Sequence, residues 1–185
     1  MDKRRLSVRE TVFVAVMAAV MCVFAPLSIP MGAVPLSLAT LVVYLDGALL
    51  GKAKGCAAVV VYIFIGLAGV PVFSGFIGGL AAVTGITGGY IIGYIPCAYI
   101  TALFAQRFGG RILAMAAGMA LGTAALYIFG TAWYMLLTGA EIAAALAACV
   151  IPFLAGDAVK IAAACALAAP LRKKLLLAMN NFNFK

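Results

Sequence analysis

Residues 11–27 read TVFVAVMAAVMCVFAPL, a run without any charged residue. A basic segment with Lys3, Arg4, Arg5 and Arg9 lies directly before this run. An apolar stretch of about 20 residues is long enough to form one helix across the hydrocarbon core of a bilayer. No small-residue cleavage site followed by a polar chain comes after it, as a signal peptide would require. We therefore interpret the run as a retained first membrane helix.

The same pattern recurs along the rest of the chain. Hydrophobic residues make up 67% and charged residues 10% of the 185 residues, whereas soluble domains have about 45–50% and about 25%. The sequence therefore predicts an all-α membrane protein that forms a single integral membrane domain over residues 1–185. The six predicted transmembrane helices cover residues of about 10–28, 37–50, 55–69, 86–106, 111–131 and 150–171.

The positions of the basic residues predict how these helices cross the membrane. Apart from Lys160, the Lys and Arg residues occur only near the chain ends and in two connections, one with Lys52 and Lys54 and one with Arg107 and Arg111. Basic connections mark the cytoplasmic face. This distribution predicts an even number of spans with both termini in the cytoplasm. The net charge of +8 thus indicates membrane topology, and no nucleic-acid partner is predicted.

The segment from Gly66 to Tyr90, GLAGVPVFSGFIGGLAAVTGITGGY, is apolar but contains eight glycines and a proline. Irregular backbone at membrane depth is tolerated only where it is buried in protein or faces a wet cavity. We therefore predict a binding site here, with the amides of the pairs Gly78-Gly79 and Gly88-Gly89 close to a ligand. The alternative interpretation is close helix packing, because several of these glycines are four residues apart.

Two opposite charges lie inside the sixth predicted helix, in the string IPFLAGDAVKIAAA. The i, i+3 spacing places Asp157 and Lys160 on one helix face. Each such charge costs about 2.5–3.5 kcal/mol on insertion scales, so the pair needs a compensating role. It is either a mutually neutralising structural pair or a polar anchor, in which Asp157 accepts N–H donors and Lys160 donates to a carbonyl or carboxylate.

Two further regions with polar or aromatic residues give additional structural predictions. Asp46, near the cytoplasmic end of the second predicted helix, is expected to contact Lys52 or a partner subunit. Residues of about 131–148 are expected to hold a short interfacial helix, with Trp133 and Tyr134 at headgroup depth.

The residue types that are missing exclude several classes of chemistry. The chain has no histidine, which removes the usual general base and the usual metal ligand. Its five cysteines lie singly in or beside apolar runs, as packing residues do. The acidic residues Asp46, Glu141 and Asp157 do not form the cluster that a metal-dependent site needs. No catalytic residue, metal site or cofactor is predicted.

Four strings in the chain resemble the BioY family, the biotin-specific S components of energy-coupling factor transporters. They are VPLSLATLVVYLDGALLG from Val34, YIFIGLAGVPVFSGFIGG from Tyr62, GITGGYIIGY from Gly85 and PFLAGDAVK from Pro152. Their order matches that of the family over roughly residues 10–172. The resemblance implies a six-helix S-component bundle in a prokaryotic plasma membrane that captures biotin from outside. Transfer inward would require a membrane coupling protein and two cytosolic ATPases, so the chain itself is not expected to be an enzyme.

The resemblance also implies where the ligand binds, and the chemistry of biotin suggests which residues contact it. The pocket would open near the outer face, covered by the loop between the first two helices, Ser28 to Ser37. The two prolines and the glycine of Ser28 to Pro35, SIPMGAVP, predict that this backbone is bent and irregular. We expect Asp157 to accept a ureido N–H of biotin and Lys160 to bind the carboxylate or the ureido carbonyl, with neither end preferred. The full set of expected ligand-binding residues is Asp157, Lys160, Phe73, Gly78, Gly79, Thr87, Gly88, Gly89 and Tyr90, of which Phe73 and Tyr90 would pack on the ring.

Two alanines match a small-residue motif of S components, Ala-x-x-x-Ala on the first helix, which packs against the coupling protein. They are Ala15 and Ala19. The chain departs from the family where Ala39 replaces a frequent Gln and Ile86 replaces a frequent Pro.

Three alternatives to biotin capture follow from the same sequence. The first is an S component for another vitamin or cofactor precursor, such as lipoate. The second is a small membrane enzyme, which the lack of histidine and of clustered acids disfavours. The third is a structural or channel-forming helical bundle, which the irregular glycine segment disfavours.

Overall fold

The computed structural model describes residues 7–32 and 34–180, and helices account for most of this length. The α-helices in these ranges are α1 (Val8–Phe24), α2 (Ala39–Leu45), α3 (Lys52–Leu67), α4 (Leu80–Thr84), α5 (Gly88–Arg107), α6 (Ile112–Thr138), α7 (Ile142–Cys149) and α8 (Leu154–Asn180). A π-helical segment, Asp46–Leu50, continues α2, and a 3-10 turn, Ile151–Phe153, precedes α8.

Three helical stretches in the described ranges are long and apolar enough to cross a bilayer. They are Gly88–Arg107, Ile112–Thr138 and Ile142–Lys174, and Ala39–Leu50 is a shorter apolar helix. This confirms the prediction of a helical protein with membrane-spanning helices. The count of six spans and the cytoplasmic position of both termini stay predictions.

The start of α1 is defined by local hydrogen bonds. Ser7 Oγ accepts from the Glu10 amide at 3.3 Å, and Glu10 Oε2 accepts from the Ser7 amide at 2.9 Å. This reciprocal pair is a capping box, which satisfies two of the free amides at a helix N-terminus. Glu10 also forms a 2.6 Å ion pair with Lys54 in the first turn of α3. This ion pair therefore connects α1 and α3 at one end of the bundle.

The connection between α1 and α2 is more regular than the sequence suggests. It forms an antiparallel hairpin of β1 (Ser28–Met31) and β2 (Val34–Ser37), in which Ser28 pairs with Ser37. Gly32 has a φ of +82° at the turn, a conformation that glycine adopts without steric cost. The prediction of an irregular loop is therefore wrong, because the two strands pair with each other in a regular register.

The prediction for the region after the fifth span needs a similar correction. A short helix does occur there, as α7, but α6 continues through Trp133 and Tyr134 to Thr138. Gly139 ends α6 with a φ of +68°, the left-handed conformation typical of a residue that follows a helix. The two aromatic residues therefore belong to the long helix.

The environment of Asp46 in the structure differs from the one predicted from the sequence. Its side chain is 0% exposed, and neither carboxylate oxygen has a hydrogen-bond partner among the described residues. The expected contact with Lys52 is wrong, because Asp46 lies on the packed side of its helix while Lys52 starts the next helix beyond the turn at Gly51. Full burial also keeps this carboxyl from touching a partner subunit.

Candidate ligand-binding site

A cavity of about 330 Å³ lies between the hairpin, the glycine-rich segment before α5, and helices α2, α5, α6 and α8. This volume lies within the range of small-molecule sites, about 300–1,000 Å³. Most of its wall is apolar or aromatic, as in sites that bind small organic ligands. The polar side chains that line it are Ser37, Thr40, Ser74, Thr87, Asp157 and Lys160, and its aromatic residues are Tyr62, Phe73, Tyr90, Tyr94, Tyr127 and Phe153.

The polar part of the wall is a network of four side chains. Lys160 Nζ lies 2.9 Å from Asp157 Oδ1 and donates to Thr40 Oγ1 at 3.0 Å. The Thr40 hydroxyl lies 3.4 Å from the same carboxylate oxygen, and the Tyr127 hydroxyl donates to Asp157 Oδ2. Asp157 and Lys160 are 5% and 8% exposed. A buried ion pair with its remaining hydrogen bonds satisfied can be tolerated in a low-dielectric environment.

Three separate elements bring this network together. Asp157 and Lys160 lie in the first two turns of α8, and Thr40 lies at the start of α2. The Ser37 hydroxyl accepts from the Ala39 amide at 3.2 Å, which satisfies a free amide where α2 begins. Tyr127 reaches the pair from the middle of α6.

Phe73 forms one aromatic wall of the cavity, and its ring packs against Tyr62 and Gly66. Its ring stands at 86° to that of Tyr62 with centroids 5.6 Å apart, an edge-to-face contact. The Tyr62 hydroxyl donates to the Val72 carbonyl at 3.0 Å. A Cβ atom at Gly66 would lie 2.2 Å from the Phe73 ring, so only glycine at this position leaves room for the ring.

Tyr90 forms a second aromatic wall and is anchored in the same way. Its hydroxyl donates to the Cys149 carbonyl at 2.9 Å, which links α5 to the end of α7. A Cβ atom at Gly130 would lie 2.3 Å from the Tyr90 ring. Phe73 and Tyr90 are therefore rigid surfaces whose positions depend on glycines in neighbouring helices.

The structure brings together five of the nine expected ligand-binding residues. The residues that line the cavity are Asp157, Lys160, Phe73, Thr87 and Tyr90; Gly78, Gly79, Gly88 and Gly89 do not line it. Ile86, one of the two departures from the family pattern, also lines the cavity, whereas Ala39 is buried elsewhere.

The four glycines have structural roles that account for their absence from the wall. The Gly79 and Gly88 amides donate to the carbonyls of Gly66 and Gly85, at 2.7 and 3.0 Å. Cβ atoms at Gly78 and Gly89 would lie 2.3 Å from the Val70 carbonyl oxygen and from Trp133 Cβ. The structure thus supports close packing, the alternative interpretation, at these positions.

Sequence reasoning missed Thr40 and Tyr127. Thr40 is 117 residues from Asp157 along the chain and Tyr127 is 30 residues away, so no local spacing connects them. The only signal was a hydroxyl group within an apolar run, and such groups are common in membrane helices.

Ala15 and Ala19 lie on the exposed side of α1. The side of α1 that packs on the bundle carries Val14, Ala18 and Met21. The two alanines are therefore accessible to another membrane helix, while their contact with a coupling protein stays a prediction.

Comparison with known proteins gives consistent matches over nearly the whole chain. A family model described as the BioY family matches residues 1–176. The chain is 33% identical over 165 residues to the biotin transporter BioY of Thermotoga maritima, covering 89% of this chain and 96% of that protein. It is 34% identical over 167 residues to the probable biotin transporter BioY of Pyrococcus horikoshii, covering 90% and 98%.

A solved structure has the same fold. The crystal structure of an S-component for biotin from an ECF-type ABC transporter superposes with a TM-score of 0.84 at 24% sequence identity, covering 94% of this chain and 95% of that one. The arrangement of helices is therefore that of an S component.

Proposed function

Because the chain belongs to the BioY family, we propose that it is the biotin-binding substrate-capture subunit of an energy-coupling factor importer. The observation that carries this proposal is the network of Asp157, Lys160, Thr40 and Tyr127 at one side of an otherwise largely apolar and aromatic cavity. Such a cavity suits a small, mostly apolar ligand with a few polar atoms on one edge. The protein acts as a transport subunit and not as an enzyme.

Biotin has polar atoms that fit this network. Its ureido group presents two N–H donors beside one carbonyl acceptor, while its fused rings are apolar and its tail ends in a carboxylate. Asp157 would accept a ureido N–H and Lys160 would donate to the ureido carbonyl. We favour the carbonyl over the tail carboxylate because Lys160 Nζ and Asp157 Oδ1 are 2.9 Å apart. That spacing suits a donor and an acceptor that are neighbours in one ligand group.

The apolar part of biotin would pack between Phe73 and Tyr90. Contacts within the protein already fix both rings. Little side-chain conformational entropy is therefore lost when the ligand binds. Thr87 lines the same wall and offers a hydroxyl, which in this structure donates to the Ala82 carbonyl at 3.4 Å. The hairpin would cover the site, because residues 34–37 of β2 line the cavity.

Equilibrium binding of labelled biotin to the detergent-purified protein tests this proposal, with unlabelled biotin and lipoate as competitors. We expect saturable binding that biotin displaces and lipoate does not. Asp157→Ala should weaken binding by about 2–5 kcal/mol, or roughly 30- to 4,000-fold. Asp46→Asn is the matched control, because it changes a buried aspartate outside the cavity and should leave affinity unchanged.

Three results would contradict parts of the proposal. Absence of biotin binding to folded protein would reject the specificity. Equal displacement by lipoate would indicate a different cofactor precursor. Unchanged affinity in Asp157→Ala would reject the assignment of the anchor.

The partners that we propose are a membrane coupling protein and two cytosolic ATPases. The exposed positions of Ala15 and Ala19 on α1 support a close helix–helix contact there, since small residues allow backbones to approach. Ala15→Leu with Ala19→Leu should abolish co-purification with the coupling protein and preserve biotin binding. The control is the same change at Ala117 and Ala120, two exposed alanines of α6. Equal loss in both double variants would argue against a specific contact.

A further inference from the structure

Asp46 lies in a part of the bundle that the proposed biotin site does not use. Its carboxyl is fully buried, does not line the cavity and has no hydrogen-bond partner among the described residues. Thr101 lies on α5, which packs against the π-helical segment that begins at Asp46. Its hydroxyl is also fully buried and has no hydrogen-bond partner among the described residues. Buried polar groups are nearly always satisfied in proteins, so two exceptions in neighbouring elements need an explanation.

The packing around Asp46 is close on two sides. A Cβ atom at Gly47 would lie 2.5 Å from the Ala98 carbonyl oxygen and 3.0 Å from Thr101 Cβ. A Cβ atom at Gly55 would lie 2.6 Å from the Asp46 carbonyl oxygen. The backbone therefore runs in direct contact with α3 and α5. Asp46 also begins the π-helical segment, a departure from α-helix that occurs frequently at functional sites.

Among the described residues, no charged or titratable side chain of the surrounding helices forms a hydrogen bond or ion pair with the Asp46 carboxyl. On α1 and α3, Glu10 pairs with Lys54 at 2.6 Å, and Cys56 Sγ lies 3.7 Å from the Ile95 carbonyl. On α8, Arg172 donates to the Ala48 carbonyl at 3.4 Å. The others among the described side chains of these elements are Arg9, which lies over the Phe13 ring, Tyr44, Tyr62 and Tyr90, which bond Thr123, Val72 and Cys149, the paired Asp157 and Lys160, the buried Cys97, Tyr94 and Cys165, the partly buried Lys52 and Cys22, and the exposed Tyr99, Arg107, Lys173 and Lys174.

Among the described residues, no Lys or Arg side chain forms an ion pair with the fully buried Asp46 carboxyl. The cost of burying an isolated charge is so large that a group of this kind takes up a proton instead. We infer that Asp46 is a proton-binding site, with the carboxyl neutral in the isolated subunit. The ligand of this second site is therefore a proton.

Infrared spectroscopy of the purified protein tests this inference directly. The chain has five acidic residues; Glu10 and Asp157 have cationic partners, Glu141 is exposed and Asp2 lies outside the described residues. We expect one carbonyl band of a protonated carboxylic acid at neutral pH, which shifts in deuterium oxide. The band should disappear in Asp46→Asn and remain in Asp157→Asn. The measurement requires no biotin, so its failure is separate from any failure of the proposed function.

Several outcomes would overturn the inference. They are the absence of the band in the unmutated protein, its persistence in Asp46→Asn, and its loss when sodium replaces choline in the buffer, which would indicate a metal-cation site. Labelling with aspartate that carries a carbon-13 carboxyl gives a test that needs no variant. The band must move to lower frequency, and an unmoved band would assign the proton to a glutamate.

Discussion

Asp46 and Asp157 are both buried aspartates in apolar helices, but their hydrogen-bond partners differ. Asp157 borders the cavity and is bound by Lys160, Thr40 and Tyr127. Asp46 is enclosed between helices with no partner among the described residues. Burial of an aspartate inside a membrane protein therefore does not by itself indicate a site for an organic ligand. Convergence of polar side chains from several helices at the edge of a cavity does.

The largest expected effect comes from breaking the pair at Asp157. Lys160→Met leaves an uncompensated buried carboxylate, which should lower the free energy of unfolding by about 3–5 kcal/mol. Unfolding by titration with dodecyl sulfate would measure it. The double variant Asp157→Asn, Lys160→Met should recover most of the loss because both charges are removed together. Equal stability of the single and double variants would show that the pair is not held as a unit.

Removal of the Tyr127 hydroxyl should have the next largest effect. Hydrogen bonds to charged groups contribute about 1.5–3 kcal/mol, so Tyr127→Phe should lower the free energy of unfolding by that amount. The same titration checks the change. Tyr99→Phe is the control, since Tyr99 is 47% exposed on α5. A Tyr127→Phe protein as stable as the control would place this hydroxyl outside the network.

A pair of threonine substitutions compares the two sites directly. Thr40→Val removes a hydroxyl that bridges Asp157 and Lys160 and should cost about 1–3 kcal/mol of stability. Thr101→Val removes a hydroxyl without a partner among the described residues, and the expected change is close to zero for that reason. Both variants keep the side-chain shape. A larger loss of unfolding free energy for Thr101→Val than for Thr40→Val in the unfolding titration would contradict this prediction.

The smallest expected effect is at Asp46 itself. If this carboxyl is neutral, Asp46→Asn exchanges one neutral polar group for another of the same shape, and the free energy of unfolding should change by less than about 1 kcal/mol. The titration at neutral pH gives this value. A loss of several kcal/mol would mean that Asp46 is ionised and stabilised by a group that asparagine cannot satisfy.

The predicted residues that line the cavity share a local signal in the sequence. Asp157 and Lys160 are three residues apart on one helix, so helical periodicity alone places them together. Phe73, Thr87 and Tyr90 come from the glycine-rich segment whose composition excludes a continuous helix. The four glycines of that segment could not be assigned in the same way. Glycine serves close packing and ligand contact equally well, and only the neighbouring atoms distinguish the two roles.

The amino-acid sequence by itself determined that this is a helical membrane protein and that one of its helices carries two opposite charges on one face. These properties are local, because a bilayer selects each helix by its own length and apolarity. The tertiary structure alone decided that Thr40 and Tyr127 complete the network at Asp157, that the loop after α1 is a hairpin, and that Asp46 is enclosed without a hydrogen-bond partner in the part of the chain that the structure describes. These properties depend on which faces of distant helices meet, and that is set by the packing of many side chains at once.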